Sequence, residues 1–136
     1  MEQEEKQIIQ MCQEFAYKAD KLETKAFGNS DYKANAFVND FNLLFEQYAF
    51  GKQNRTLSGL NFRNPPRYSH VEKAASIETV KVNKSKYEII FWADKSFNSL
   101  KFIVQKKDDG WKLIKFQTCL TANPNERDCS WRTHKL

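Results

Sequence analysis

The chain has 136 residues, of which 40% are hydrophobic and 14% aromatic, eleven of them phenylalanine. That is the length of one domain, with enough apolar material for an aromatic core, and it excludes a disordered chain. The net charge of +5 is uneven, because residues 1–51 hold five Lys/Arg against nine Asp/Glu and residues 52–136 hold seventeen against eight.

The opening, MEQEEKQIIQ, is acidic and lacks the apolar run of a secretory signal. No stretch approaches the roughly 18 apolar residues of a membrane span. A soluble, cytoplasmic protein with no membrane partner is the expectation. Residues 3–27 then carry Ile8, Cys12, Phe15, Ala19, Leu22 and Ala26 at alternating steps of four and three, one stripe of a helix, stopped at Gly28. Ser30 or Asp31 can cap a second helix. Its stripe, Phe37, Phe41, Leu44 and Tyr48, is the more aromatic and so the more deeply buried, and Gly51 ends it.

From Lys52 to Ser69 no period holds. The stretch NFRNPPRYSH, residues 61–70, is stiffened by its two prolines and carries Arg63, Arg67, Tyr68 and His70. Irregular connections of this length inside a compact domain are often functional. A stiff loop also loses less entropy on binding. It reads as a recognition loop with Arg63, Arg67 and Tyr68 as its contacts, or as a plain connector. HVEKAAS, residues 70–76, can add one helical turn.

The period then switches to two. SIETVKVN, KYEIIFWAD, SLKFIVQKK and WKLIKFQTCL read as four strands of an antiparallel meander. Face parity favours a three-residue turn, Asp108-Asp109-Gly110, with a bulge at the glycine. It pairs Ile114 with Val104, Phe116 with Phe102, Phe91 with Phe102, Ile89 with Val104, and Val82 with Tyr87. One face then carries Val80, Val82, Tyr87, Ile89, Phe91, Leu100, Phe102, Val104, Ile114 and Phe116, and the helices should cover it. The fold class is α+β: two N-terminal helices packed on a curved antiparallel sheet of at least four strands, in a single domain spanning 1–136.

The opposite face is not plainly polar. It holds Glu88, Ile90, Trp92, Asp94, Lys101, Ile103, Gln105, Trp111, Leu113 and Lys115, with Trp92 opposite Lys101 at cation–π range. Aromatic anchors inside a charged rim describe a binding patch. The candidate partner-binding residues are therefore Arg63, Arg67, Tyr68, Trp92, Asp94, Lys101, Trp111 and Trp131. Alternatively the C-terminal tail folds across this face, with Trp131 as part of the cover, or two copies pair through it as a homodimer.

Catalytic chemistry finds little support. The two histidines, His70 and His134, stand apart, and no metal-ligand spacing, phosphate loop or nucleophile elbow is present, so no cofactor or metal is expected. The three cysteines, Cys12, Cys119 and Cys129, match no zinc pattern. They read as free thiols in a reducing cytosol, with a Cys119–Cys129 link as the alternative. An enzyme of this shape would need Asp40 or Asp94 as a general base in a pocket between helices and sheet. A nucleic-acid binder would stack bases on the aromatic face, against the repulsion of Glu88 and Asp94.

The order of two helices, an irregular segment and a four-strand meander, with DGWKLIKFQT as the late strand, resembles the nuclear-transport-factor-2-like fold. The combination of FVNDFNLLFEQYA, PPRYSHVEKA, YEIIFWAD, GWKLIKF and a terminal SWRTHKL looks like the immunity proteins of that fold from bacterial polymorphic toxin systems. The resemblance runs from about residue 31 to the C-terminus. It implies a cone-shaped domain in the bacterial cytosol that binds the toxin domain of a cognate secreted effector and blocks it stoichiometrically, without turnover or cofactor, in interbacterial competition. It supplies no functional residues.

Overall fold

The computed structural model describes residues 3–50, 68, 71–72, 74–93, 98–108, 110–120, 130–134 and 136. Three helices, α1 (Gln3–Phe27), α2 (Ser30–Asn35) and α3 (Phe37–Tyr48), precede five strands. These are β1 (Ser76–Asn83), β2 (Lys86–Trp92), β3 (Asn98–Lys107), β4 (Gly110–Leu120) and β5 (Arg132–His134). The strands form one antiparallel sheet in the order β1-β2-β3-β4-β5. The architecture is α+β, helices followed by an open five-stranded sheet.

α1 spans the residues its periodicity predicts and buries Ile8, Cys12, Phe15, Ala16, Ala19, Glu23 and Ala26. The expected second helix is two. Asn29 caps the first of them, its Oδ1 accepting the Tyr32 N–H at 3.0 Å, and the helix breaks at Ala36 before α3 begins. The predicted caps, Ser30 and Asp31, lie inside α2. α3 stops at Tyr48 because Ala49 turns extended and bridges to Leu113, with the Phe50 N–H donating to the Leu113 carbonyl at 2.7 Å. Gly51, the expected terminator, lies outside the described residues.

The core fills the space between the helices and one sheet face with aromatic rings. Phe15 stands at its centre, with ring centroids 6.3 Å from Phe45, 6.0 Å from Tyr48, 5.3 Å from Tyr68 and 6.0 Å from Phe102. Aromatic pairs at such spacings add about 0.5–1.5 kcal/mol each beyond area burial. Each fully buried Phe removes enough apolar surface from water to stabilise the fold by about 1.5–3 kcal/mol.

The sheet corrects the expected register at three places. Phe91 pairs with Leu100 rather than Phe102, and Ile89 with Phe102 rather than Val104. This slip of two keeps every side chain of β2 and β3 on its predicted face, since strand faces repeat every two residues. In β1 a bulge between Lys81 and Asn83 inverts the faces. The Asn83 side chain accepts the Ser85 N–H at 2.8 Å and sets the turn. Val82 is consequently 48% exposed, and Thr79, not Val80, pairs with Ile89. The third correction lies in β4. Phe116 does pair with Phe102, but Lys107 pairs with Gly110 and the bulge sits between Ile103 and Val104. Val104 therefore faces Leu113, and Leu113, not Ile114, is fully buried. Gly110 does adopt the expected positive φ, at 114°.

Candidate interaction face

The face away from the helices is built from cross-strand rows. One row runs Glu78, Ile90, Lys101, Gln117, Thr133; the next runs Val80, Glu88, Ile103, Lys115. Ile90 and Ile103 are buried even here. The short strand β5 brings Trp131 onto this face, one residue before it starts. The Trp131 ring lies 5.7 Å from Trp92 and sits under the Lys101 ammonium at 4.3 Å. Lys101 Nζ also lies 3.8 Å from Glu88 Oε1, and Trp92 Nε1 donates to Glu78 Oε1 at 2.9 Å. A cation held between a carboxylate and an indole face gains from both, and more so where water is partly excluded.

The predicted contact residues fall in four groups. Trp92 and Lys101 are on the predicted face but only 5% and 7% exposed, since Trp131 lies against them. The expected Trp92–Lys101 pairing is not formed: Lys101 faces Ile90, and its aromatic partner is Trp131. Trp131 itself is half-buried and presents part of its ring outward. Trp111 is a correction. The β4 bulge turns it to the helix side, where its ring packs against Tyr87 at 5.3 Å and against the core. Tyr68 is another. It is fully buried between Phe15, Phe102 and Phe116, and so is a core residue rather than a surface contact. Arg63, Arg67 and Asp94 lie outside the described residues, as does Cys129.

Tyr68 is held by a group that the periodicity did not single out. Its N–H donates to Asp20 Oδ1 at 2.9 Å. Asp20 lines a cleft of about 400 Å³ together with Tyr17, Val71, Glu72 and Ile77. Burial pushes its carboxyl up to about 7, with the neighbouring Glu23 and Glu72 adding to the rise and the Tyr68 hydrogen bond opposing it. Such a group can take or release a proton near neutral pH. The available signal was the pair Asp20 and Glu23, three residues apart, flanking the apolar stripe of α1. Asp40, which with Asp94 was an expected base, accepts the Tyr32 hydroxyl at 2.7 Å. The buried face of its helix, α3, is packed with the rings of Phe37, Phe41 and Phe45.

Cys12 is a buried free thiol, whereas Cys119 is disulfide-bonded. The reading of Cys119 as a free thiol is thereby corrected. No described helix is long and apolar enough to cross a membrane, and no described group of His, Cys, Asp or Glu residues could hold a metal ion. Comparison with protein-family models, curated proteins and solved structures finds no significant match to this chain.

Proposed function

We propose that this chain is an immunity protein that binds and neutralises a cognate bacterial toxin domain, on a nuclear-transport-factor-2-like scaffold. The observation that carries the reading is the Trp131–Lys101–Trp92 cluster, seated on the sheet face opposite the helical core. An aromatic residue with one face anchored and one face open is a low-entropy contact, the kind that dominates protein interfaces. The resemblance of the segments from FVNDFNLLFEQYA to SWRTHKL supplies the partner class. The interior supports binding over turnover, since aromatic side chains fill it.

Trp131 is the anchor in this reading, with Glu88 and Lys115 beside it as the charged rim. Trp92 and Lys101 hold the anchor rather than touch the partner. The cytosol is the expected compartment for such a binder. The Cys119 disulfide favours an oxidising one instead, because cytosolic thiols are kept reduced.

The reading predicts a neighbouring gene that encodes a large secreted protein, and the test is co-expression with that protein's C-terminal domain. Growth restored by the wild-type chain, and lost with Trp131→Ala, supports the reading. A domain that kills equally with or without the chain overturns it.

A further inference from the structure

The ends of the two hairpins lie side by side. The Lys106 N–H donates to the Ser85 carbonyl at 2.8 Å, and Asn83, Lys86, Gln105 and Lys112 stand in one row across four strands. This register gathers Lys84, Lys86, Lys106, Lys107 and Lys112 at one end of the sheet. The end of α3 closes in from the side. Lys112 Nζ donates to the Gln47 carbonyl at 3.0 Å, and Lys107 Nζ lies 3.8 Å from the centroid of the Phe50 ring. Between them is an open cleft of about 710 Å³, with Phe50, Lys106, Lys107 and Lys112 on its walls and Glu46 and Asp108 as its carboxylates.

Lys84, Lys86, Lys106 and Lys107 form no ion pair with another described residue. Like charges this close repel, and their summed field attracts an anionic surface. Lysines are flexible point charges, suited to scattered carboxylates rather than to the bidentate geometry that arginine offers a phosphate. Phe50 is 45% exposed and adds an apolar anchor. Nucleic acid fits less well, because the Lys107 ammonium sits over the Phe50 ring where a base would stack. The row Lys86–Gln105–Lys112 adjoins the row Glu88–Ile103–Lys115, which adjoins the row of Lys101 under Trp131. The lysine end meets the Trp131 face along the row of Lys86, while Lys106, paired with Trp111, lies on the helix side.

We propose that this lysine-lined end is the docking site for an acidic protein surface, and hence that the toxin domain meets the chain through a carboxylate-rich face. This rests on the immunity reading for the partner's identity, but the site can be tested without it. A labelled peptide of about ten glutamates and a single-stranded DNA of matched charge are titrated by fluorescence anisotropy at low and at moderate salt. They are titrated against the wild type, the Lys84→Gln/Lys106→Gln/Lys107→Gln variant, and a control with the same charge change on α1, Lys6→Gln/Lys21→Gln/Lys25→Gln. Wild type should bind the peptide more tightly than the DNA. The hairpin variant should lose about tenfold and the α1 control less than about twofold, with binding weakening as salt rises. Equal losses in the two variants, or DNA bound more tightly than peptide, would overturn the site. So would a toxin neutralised equally well by wild type and hairpin variant, an outcome that leaves the immunity reading standing.

Discussion

The Lys101 ammonium lies 4.3 Å from the centroid of the Trp131 ring, on the face of the sheet opposite the helices. The tail thus carries an indole back across three strands to cover a cation and a second tryptophan. Removing the ring in Trp131→Ala should lower stability by about 1–2 kcal/mol, the sum of one cation–π contact and one aromatic pair. Trp131→Phe should recover part of it. Urea unfolding followed by far-ultraviolet circular dichroism checks this, and an unchanged midpoint would mean that the tail contributes nothing to the face.

Tyr68 behaves as a core residue in this account. Its ring is 5.3 Å from Phe15 and 5.2 Å from Phe116, with no solvent exposure. Tyr68→Ala should destabilise the protein by about 3–5 kcal/mol, as for other buried aromatic truncations. A loss under about 0.5 kcal/mol, the size seen for exposed loop residues, would return Tyr68 to the surface.

Asp20 makes stability depend on pH. Its folded pKa is raised to about 7 from an ordinary value of 3.8, so between these values the folded state binds more protons than the unfolded chain. Stability from this group is therefore fully present below about 4, falls as pH rises toward 7, and stays low above it. Asp20→Asn keeps an oxygen to accept the Tyr68 N–H and cannot ionise. It should raise the melting temperature at pH 8 and leave it little changed at pH 4. The same change at both values would remove ionisation as the cause.

Cys119 should resist alkylation in the unfolded protein until a reductant is added, because its sulfur is already bonded. Mass spectrometry of the tryptic peptide reads this directly. Trapping thiols in intact cells before lysis also reads the compartment: a Cys119 labelled at once comes from a reducing one.

Much of the secondary structure was legible because it rests on periods. The 3.6-residue stripe of α1 and the two-residue alternation of β2 and β3 place Phe15, Tyr87, Ile89, Phe91, Leu100, Phe102 and Val104 inside, where they are found. The failures are of three physical kinds. Parity cannot separate registers that differ by two, which is why Lys101 was set against Trp92 rather than Ile90. Nor can it locate a bulge, which is why Val82 and Trp111 changed sides. Tyr68 illustrates a third limit. In a stretch with no period, nothing in NFRNPPRYSH distinguishes a ring aimed inward from one aimed at a partner. At the site itself, the role of Trp131 as a cover was among the alternatives the sequence allowed. The gathering of five lysines at one sheet end follows from strand register and could not be read before it.

The central claim is that the face bearing Trp131 binds a toxin domain tightly. Titrating the chain into the purified C-terminal domain of a secreted effector encoded beside its gene, by calorimetry, tests it most directly. The account predicts saturable binding at a fixed stoichiometry, with Trp131→Ala weakening it by at least about 2 kcal/mol. Binding that Trp131→Ala leaves intact, or no binding at all, would contradict it.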